Sequence, residues 1–198
     1  MSASLRAIDG GRQTPPLFLT RLSQQDWKRL GRLMEGRRFD SSVVLGAAAR
    51  CRFGQVRVLA CLPLSRGLKP FPTTFWLICP WLIQRAGAAE SEGGVRALES
   101  WLSERKPQEW RVYNRLSPLL RLGLLAPGFR DVLRRFHPGL FRAVRLGGVG
   151  GIRQDGELRV KCLHLQVASW LALGWHPGSK WLQDRGLAGE CGGGKCGA

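Results

Sequence analysis

Apolar positions recur along the chain with two periods, and the switches between them mark its elements. Over "SQQDWKRLGRLMEG", Trp27, Leu30, Leu33 and Met34 fall at helical spacing. Ser23 as N-cap, Asp26 in the first turn and Gly36 as terminator predict a helix there, with that stripe buried. In "CRFGQVRVLACLPL", Val56, Val58, Ala60 and Leu62 alternate with Arg57, Leu59 and Cys61, the period-two signature of a strand. "PFPTTFWLICPWLI" is apolar on both faces, which predicts a second strand, central in the sheet and covered on both sides.

The second half is helical in pattern. A helix is expected within "AAESEGGVRALESWLSERK", and another, or a pair broken at Pro118 and Pro127, in the arginine-rich stretch that follows. "FHPGLFRAVRLGGVGG" reads as a loop, and "IRQDGELRV" as an Asp-Gly turn between short strands. The last helix runs from Cys162 to Leu173. Residues 1–16 read as a flexible arm and 187–198 as a mobile glycine-rich tail. With no internal repeat and no linker, 17–186 is expected to form a single α+β domain. Its sheet should be small and mostly antiparallel, built on a central hairpin and covered by helices.

Composition agrees with a globular chain: 198 residues, 44% apolar, with eight Trp and eight Phe. The longest apolar run, "FWLICPWLI", is far short of the roughly 20 residues a membrane span needs. The first sixteen residues hold no run that could serve as a signal peptide. These features predict a soluble cytoplasmic protein with no membrane partner. In that reduced compartment Cys51, Cys61, Cys79, Cys162, Cys191 and Cys196 are metal ligands, reactive thiols or buried residues rather than a disulfide framework.

Charge adds a second theme. The formal net charge is +17, and from Arg111 to Arg145 eight arginines meet a single acid, Asp131. Clustered cations bind phosphate by releasing counterions, so Arg111, Arg115, Arg130, Arg134 and Arg135 are candidates for contact with nucleic acid or another polyanion. No nucleic-acid-binding signature accompanies them, and biased codon usage would also enrich arginine.

Candidate chemistry centres on the thiols. If the two predicted strands pair about a loop centred near Ser65, residues whose numbers add to about 130 face each other. Cys51 and Cys79 meet that condition; Cys61, opposite Lys69, does not and reads as structural. Cys162 and His164 lie about 200° apart on a regular helix, so they converge only if Cys162 occupies the cap. A helix N-terminus favours a thiolate, which suits a metal ligand and a nucleophile alike. Other chemistries fall away. "GGVGG" lacks the third glycine of a dinucleotide fingerprint, where Arg153 stands. The fourteen acids form no obvious catalytic pair. Ser65, Ser100 and Ser117 lack a nucleophile-elbow context. His137 and His176 each precede a proline and read as loop residues.

Three segments, "AARCRFGQV", "PFPTTFWLICP" and "VKCLHLQVASWLALG", together resemble an uncharacterised bacterial family, the one catalogued as domain of unknown function 501. "RLGRLMEGRRFD" and "AAESEGGV" are weaker segments of the same likeness, which covers most of residues 25–180. The family pattern falls on Arg50, Cys51, Cys79, Pro80, Lys161, Cys162 and His164. It departs at "WHPGSKWL" and in the glycine tail. The resemblance implies no activity. It does place Cys51, Cys79, Cys162 and His164 within one family's motifs, the same four residues reached from spacing. The leading expectation is therefore a site for zinc or an iron–sulfur cluster built from Cys51, Cys79 and Cys162 with His164 or Cys191, joining the hairpin end to the last helix. A Cys-His thiol enzyme and a basic RNA-binding module with structural cysteines are the alternatives.

Overall fold

The computed structural model describes residues 2–5, 8–9, 12–13, 17–36, 39–147, 149–151 and 159–193. The chain opens with β1 (Ser2–Leu5), a short hairpin of β2 (Ile8–Asp9) and β3 (Arg12–Gln13), and β4 (Leu17–Thr20). β1 pairs antiparallel with β4, so residues 2–5 belong to the sheet rather than to a loose arm. Helix α1 (Gln24–Met34) starts where the sequence predicts. Ser23 caps it, and the Asp26 carboxylate accepts in return from the Ser23 N–H, a capping box that satisfies donors at the helix start. Leu30 and Met34 are buried, but Trp27 is exposed and Arg29 takes the buried place instead.

β5 (Val44–Arg50), β6 (Val56–Cys61) and β7 (Phe75–Leu77) complete a five-stranded antiparallel sheet of order β1-β4-β5-β6-β7. β5 had no strand signal in the sequence. Its small residues lack a bulky alternation, and the space is used: a Cβ on Gly46 would come within 2.8 Å of the Thr20 carbonyl oxygen. β6 therefore pairs first with β5, across the turn 51–55. Its pairing with β7 is also offset from the predicted centring, because the 62–74 connection is longer than a tight loop: Val58 faces Leu77 and Ala60 faces Phe75. β7 is an edge strand, not a central one. Its apolar faces are covered nonetheless, Phe75 and Leu77 by the helical layer and Trp76 by Phe39 and Phe71.

Four of the following helices begin on proline: α2 (Pro80–Ser91), α4 (Pro107–Gly123), α5 (Pro127–Phe136) and α6 (Pro138–Leu146), with α3 (Gly94–Arg105) between the first two. At the first helical position the missing N–H costs no hydrogen bond and the fixed φ already suits a helix. Pro127, expected to break a helix, thus starts one, and α6 replaces the expected loop. Pro118 does not break α4, because Trp110, Tyr113, Ser117 and Leu120 are buried on either side of it and packing outweighs the one lost bond. α7 (Leu163–Leu173) and α8 (Ser179–Asp184) close the domain. The expected Asp-Gly turn at 155–156 lies outside the described residues.

The sheet is sandwiched. Val58, Ala60, Phe75 and Leu77 face α2, α3, α4 and α7 in the main core, while Val43, Ala47, Leu59 and Cys61 pack against α1. A third cluster joins Leu64 and Leu125 to Leu133 of α5 and Val144 of α6. No helix among the described residues is long and apolar enough to cross a membrane.

Candidate metal centre

Cys162 stands at the N-cap of α7 with extended backbone (φ −161°, ψ 157°), outside the helical geometry that would turn it away from His164. The approach to that cap is fixed from two sides. The Val160 N–H donates to Glu99 of α3 at 2.7 Å, and the Lys161 ammonium donates to the Gly150 carbonyl at 2.8 Å. Gly150 adopts φ +66°, and a Cβ there would collide with Leu165 and Lys161, so this glycine of "GGVGG" serves close packing rather than phosphate binding.

The cap itself is completed by a residue the spacing argument missed. Glu90, in the last turn of α2, points one carboxylate oxygen at the start of α7. It accepts from the Leu163 N–H at 2.5 Å and the His164 N–H at 3.4 Å, and lies 2.9 Å from His164 Nδ1. The other ring nitrogen, Nε2, lies 3.2 Å from the Ile83 carbonyl, also on α2. A hydrogen bond with Cys162 and, against the effect of burial, the hydrogen bond and charge of Glu90 raise the His164 pKa to about 9. Its side chain is 30% exposed and that of Glu90 24%, so the site is lined by protein yet reachable from solvent. Ligand-type atoms of Glu90, Cys162 and His164 all lie within 4.8 Å of one another, the one such set of three among the described residues. The only trace of Glu90 in the sequence was its place inside "AAESEGGV", in a chain poor in acids.

The other predicted ligands lie elsewhere. Cys51 opens the β5–β6 turn, its N–H bonded to the Gln55 carbonyl at 2.9 Å. Cys79 caps α2, which explains the Cys79–Pro80 pair as a helix start rather than a cluster motif. Both line a cavity of about 10 Å³, room for one water at most, together with Cys191, Arg57 and Glu190. Cys191 is there because the segment before it is held down. Arg57 pairs with Glu190 at 2.8 Å and donates to the Ala188 and Gly189 carbonyls, and Arg52 donates to the Cys191 carbonyl. Residues 187–191 are thus anchored, and Cys196 lies outside the described residues. The structure brings Cys51, Cys79 and Cys191 to one cavity and Cys162 and His164 to another place, with Glu90. Cys61 is wholly buried and its thiol is pushed up to about 12 by desolvation.

The family model described as "Protein of unknown function (DUF501)" matches residues 47–184. The chain belongs to the DUF501 family. The matched region runs from β5 to α8 and contains Glu90, Cys162 and His164. No curated protein and no solved structure matches the chain. Among the family positions, Arg50 is accounted for by the fold. It pairs with Asp26 at 2.8 Å and donates to the Gly54 carbonyl, tying α1 to the hairpin turn. His176, expected in an exposed loop, is 1% exposed. Its Nδ1 accepts from the Gly178 N–H at 2.9 Å, so Nε2–H donates to Gln166 Oε1 at 2.8 Å, and burial lowers its pKa to about 3. That neutral, doubly bonded ring is structural.

Of the predicted polyanion contacts, Arg111, Arg115, Arg134 and Arg135 are exposed and Arg130 half-buried. Arg134 pairs with Asp131 at 3.1 Å. Arg121 departs from the pattern: it is buried, donates to the Phe71 and Pro72 carbonyls, and has its pKa lowered to about 10 by desolvation.

Proposed function

We propose that this DUF501 protein binds one zinc ion between α2 and α7 through Glu90, Cys162 and His164. The observation that carries the reading is the state of His164. Its Nε2 faces a backbone carbonyl, the arrangement that orients a metal-ligating imidazole, and this leaves Nδ1 beside Glu90 as the ligand atom. One thiolate, one imidazole and one carboxylate form a mixed donor set that suits zinc; an iron–sulfur cluster needs several thiolates. Binding would replace the protons now shared in this cluster, so affinity should rise with pH. Three protein ligands leave a fourth position for water or a substrate atom, as in zinc sites that act as Lewis acids.

Metal analysis of protein purified without oxygen, followed by zinc titration against a chromophoric chelator, tests this. One equivalent is expected, with affinity reduced at least about tenfold by Cys162→Ser, His164→Gln or Glu90→Gln. Folded wild-type protein that takes up no zinc would sink the reading. A thiol enzyme is the second reading, favoured by the Cys162 sulfur and the His164 ring lying within 4.8 Å of each other with Glu90 as orienting group. Fast single-site alkylation of Cys162 in metal-free protein, slowed by His164→Gln, would support it.

A further inference from the structure

Helix α5 carries an apolar stripe that the fold leaves in water. At 100° per residue, Phe129, Val132, Leu133 and Phe136 share an arc of about 100°. Only Leu133, at one edge, reaches the core; Phe129 is 38% exposed, Val132 45% and Phe136 64%. Three exposed large side chains in one contiguous row on a ten-residue helix are more than the scattered apolar surface every soluble protein shows. Arginines flank the row on both sides: Arg130 and Arg134 beyond Leu133, Arg135 beyond Val132. The one acid, Asp131, lies on the opposite side of the helix and pairs with Arg134. The neighbouring α6 adds Arg142 and Arg145, both exposed and without an ion pair among the described residues.

We infer that α5 is a surface anchor for anionic lipid bilayers, lying in the headgroup plane with Phe129, Val132 and Phe136 inserted and the flanking arginines on lipid phosphates. The pattern is that of an interfacial helix, apolar on one face and arginine-rich beside it. Charge selects the membrane type, since a chain of net charge +17 is drawn to a negative surface before any side chain inserts. RNA phosphates would satisfy the same arginines, but would leave Val132 and Phe136 in water. The expectation of no membrane partner rested on the lack of a spanning run, and a surface helix leaves no such run.

Co-sedimentation of the full chain with vesicles tests the inference, using phosphatidylcholine alone or with about a quarter phosphatidylglycerol. Wild type should pellet with the anionic vesicles and stay soluble with the neutral ones. Phe129→Ser/Phe136→Ser should weaken binding about tenfold or more with circular dichroism unchanged; Phe136→Ser alone serves if the pair perturbs folding. Arg130→Gln/Arg134→Gln/Arg135→Gln should weaken it too. Failure to bind anionic vesicles overturns the inference, as does wild-type binding by the Phe variants. So does tighter binding of a single-stranded RNA at the same salt that the Phe substitutions abolish.

Discussion

The two arginine-rich regions of this protein use the same side chain in opposite ways. Around the sheet and α2, four arginines are held by the fold. Arg29 donates to the Val56 carbonyl, Arg50 pairs with Asp26, Arg57 pairs with Glu190, and Arg85 holds the carbonyls of Arg185 and Gly186. Along α4–α6, Arg111, Arg115, Arg130, Arg135, Arg142 and Arg145 form no ion pair among the described residues, and only Arg121 is drawn inside. A guanidinium offers five donors in a fixed fork and keeps its charge, so it can tie several carbonyls at once or wait for an anion. Net charge merges these uses. Only the partners of each arginine separate a structural cation from one available for binding.

The contrast is most exposed to failure at Arg57. It is 6% exposed, on β6, and holds Glu190 and two backbone carbonyls of the C-terminal segment. Arg57→Ala should cost about 3 kcal/mol in urea unfolding, the scale for breaking a buried pair. It should also release residues 187–191, read as faster alkylation of Cys191 and protease cleavage after Arg185. A loss under about 1 kcal/mol would mean that the segment is held by something other than this arginine.

How much of this could be read beforehand depends on whether the signal was local. The cap of α1, the placement of α3 and α7 and the α+β class follow from short-range pattern, and the structure bears them out. β5 was invisible because a strand of Val, Leu, Gly and Ala is recognised only by what lies across it. α6 was hidden behind His137-Pro138-Gly139, because a proline at the first helical position looks the same in sequence as one in a loop. At the candidate site, Cys162 as the cap residue was legible from the 200° objection alone. Glu90 was not, because it comes from a helix 73 positions away and nothing local marks it as facing α7.

Acid should separate two interior groups by window. His176 has its folded pKa lowered from 6.5 to about 3, so its contribution is complete above 6.5 and is lost as pH falls from there through about 3. Protonating Nδ1 would also end its bond from the Gly178 N–H. Asp26, held down to about 2 first by its hydrogen bond from Arg50, keeps its contribution above 3.8 and loses it only as pH falls through about 2. Urea midpoints measured in steps from pH 7 to 3 should therefore fall mainly below pH 6.5, and His176→Gln should flatten that limb. Arg50→Gln should leave the slope of that limb in place but lower the midpoint at every pH above 3.8, with the smallest difference from wild type at the most acidic points. A midpoint independent of pH across the first window would show that His176 is not held neutral by its surroundings.

The smallest expected effect lies on the other side of the contrast. Arg135 is exposed, with its guanidinium carbon 5.4 Å from the centre of the Phe136 ring. Arg111 and Arg145 are exposed with no ion pair among the described residues. Replacing any of the three by Gln removes charge without leaving a buried group unsatisfied, so each change should stay within about 0.5 kcal/mol of wild type. Removing like charges from a crowded basic surface could even raise the urea midpoint slightly at low salt, an effect that added salt would erase. Arg121→Gln is the internal control on the same helices. It withdraws donors from the Phe71 and Pro72 carbonyls at a buried site and should destabilise by about 1–3 kcal/mol whatever the salt. If Arg135 proved as costly as Arg121, the surface of α4–α6 would be holding the fold together rather than facing outward for a partner.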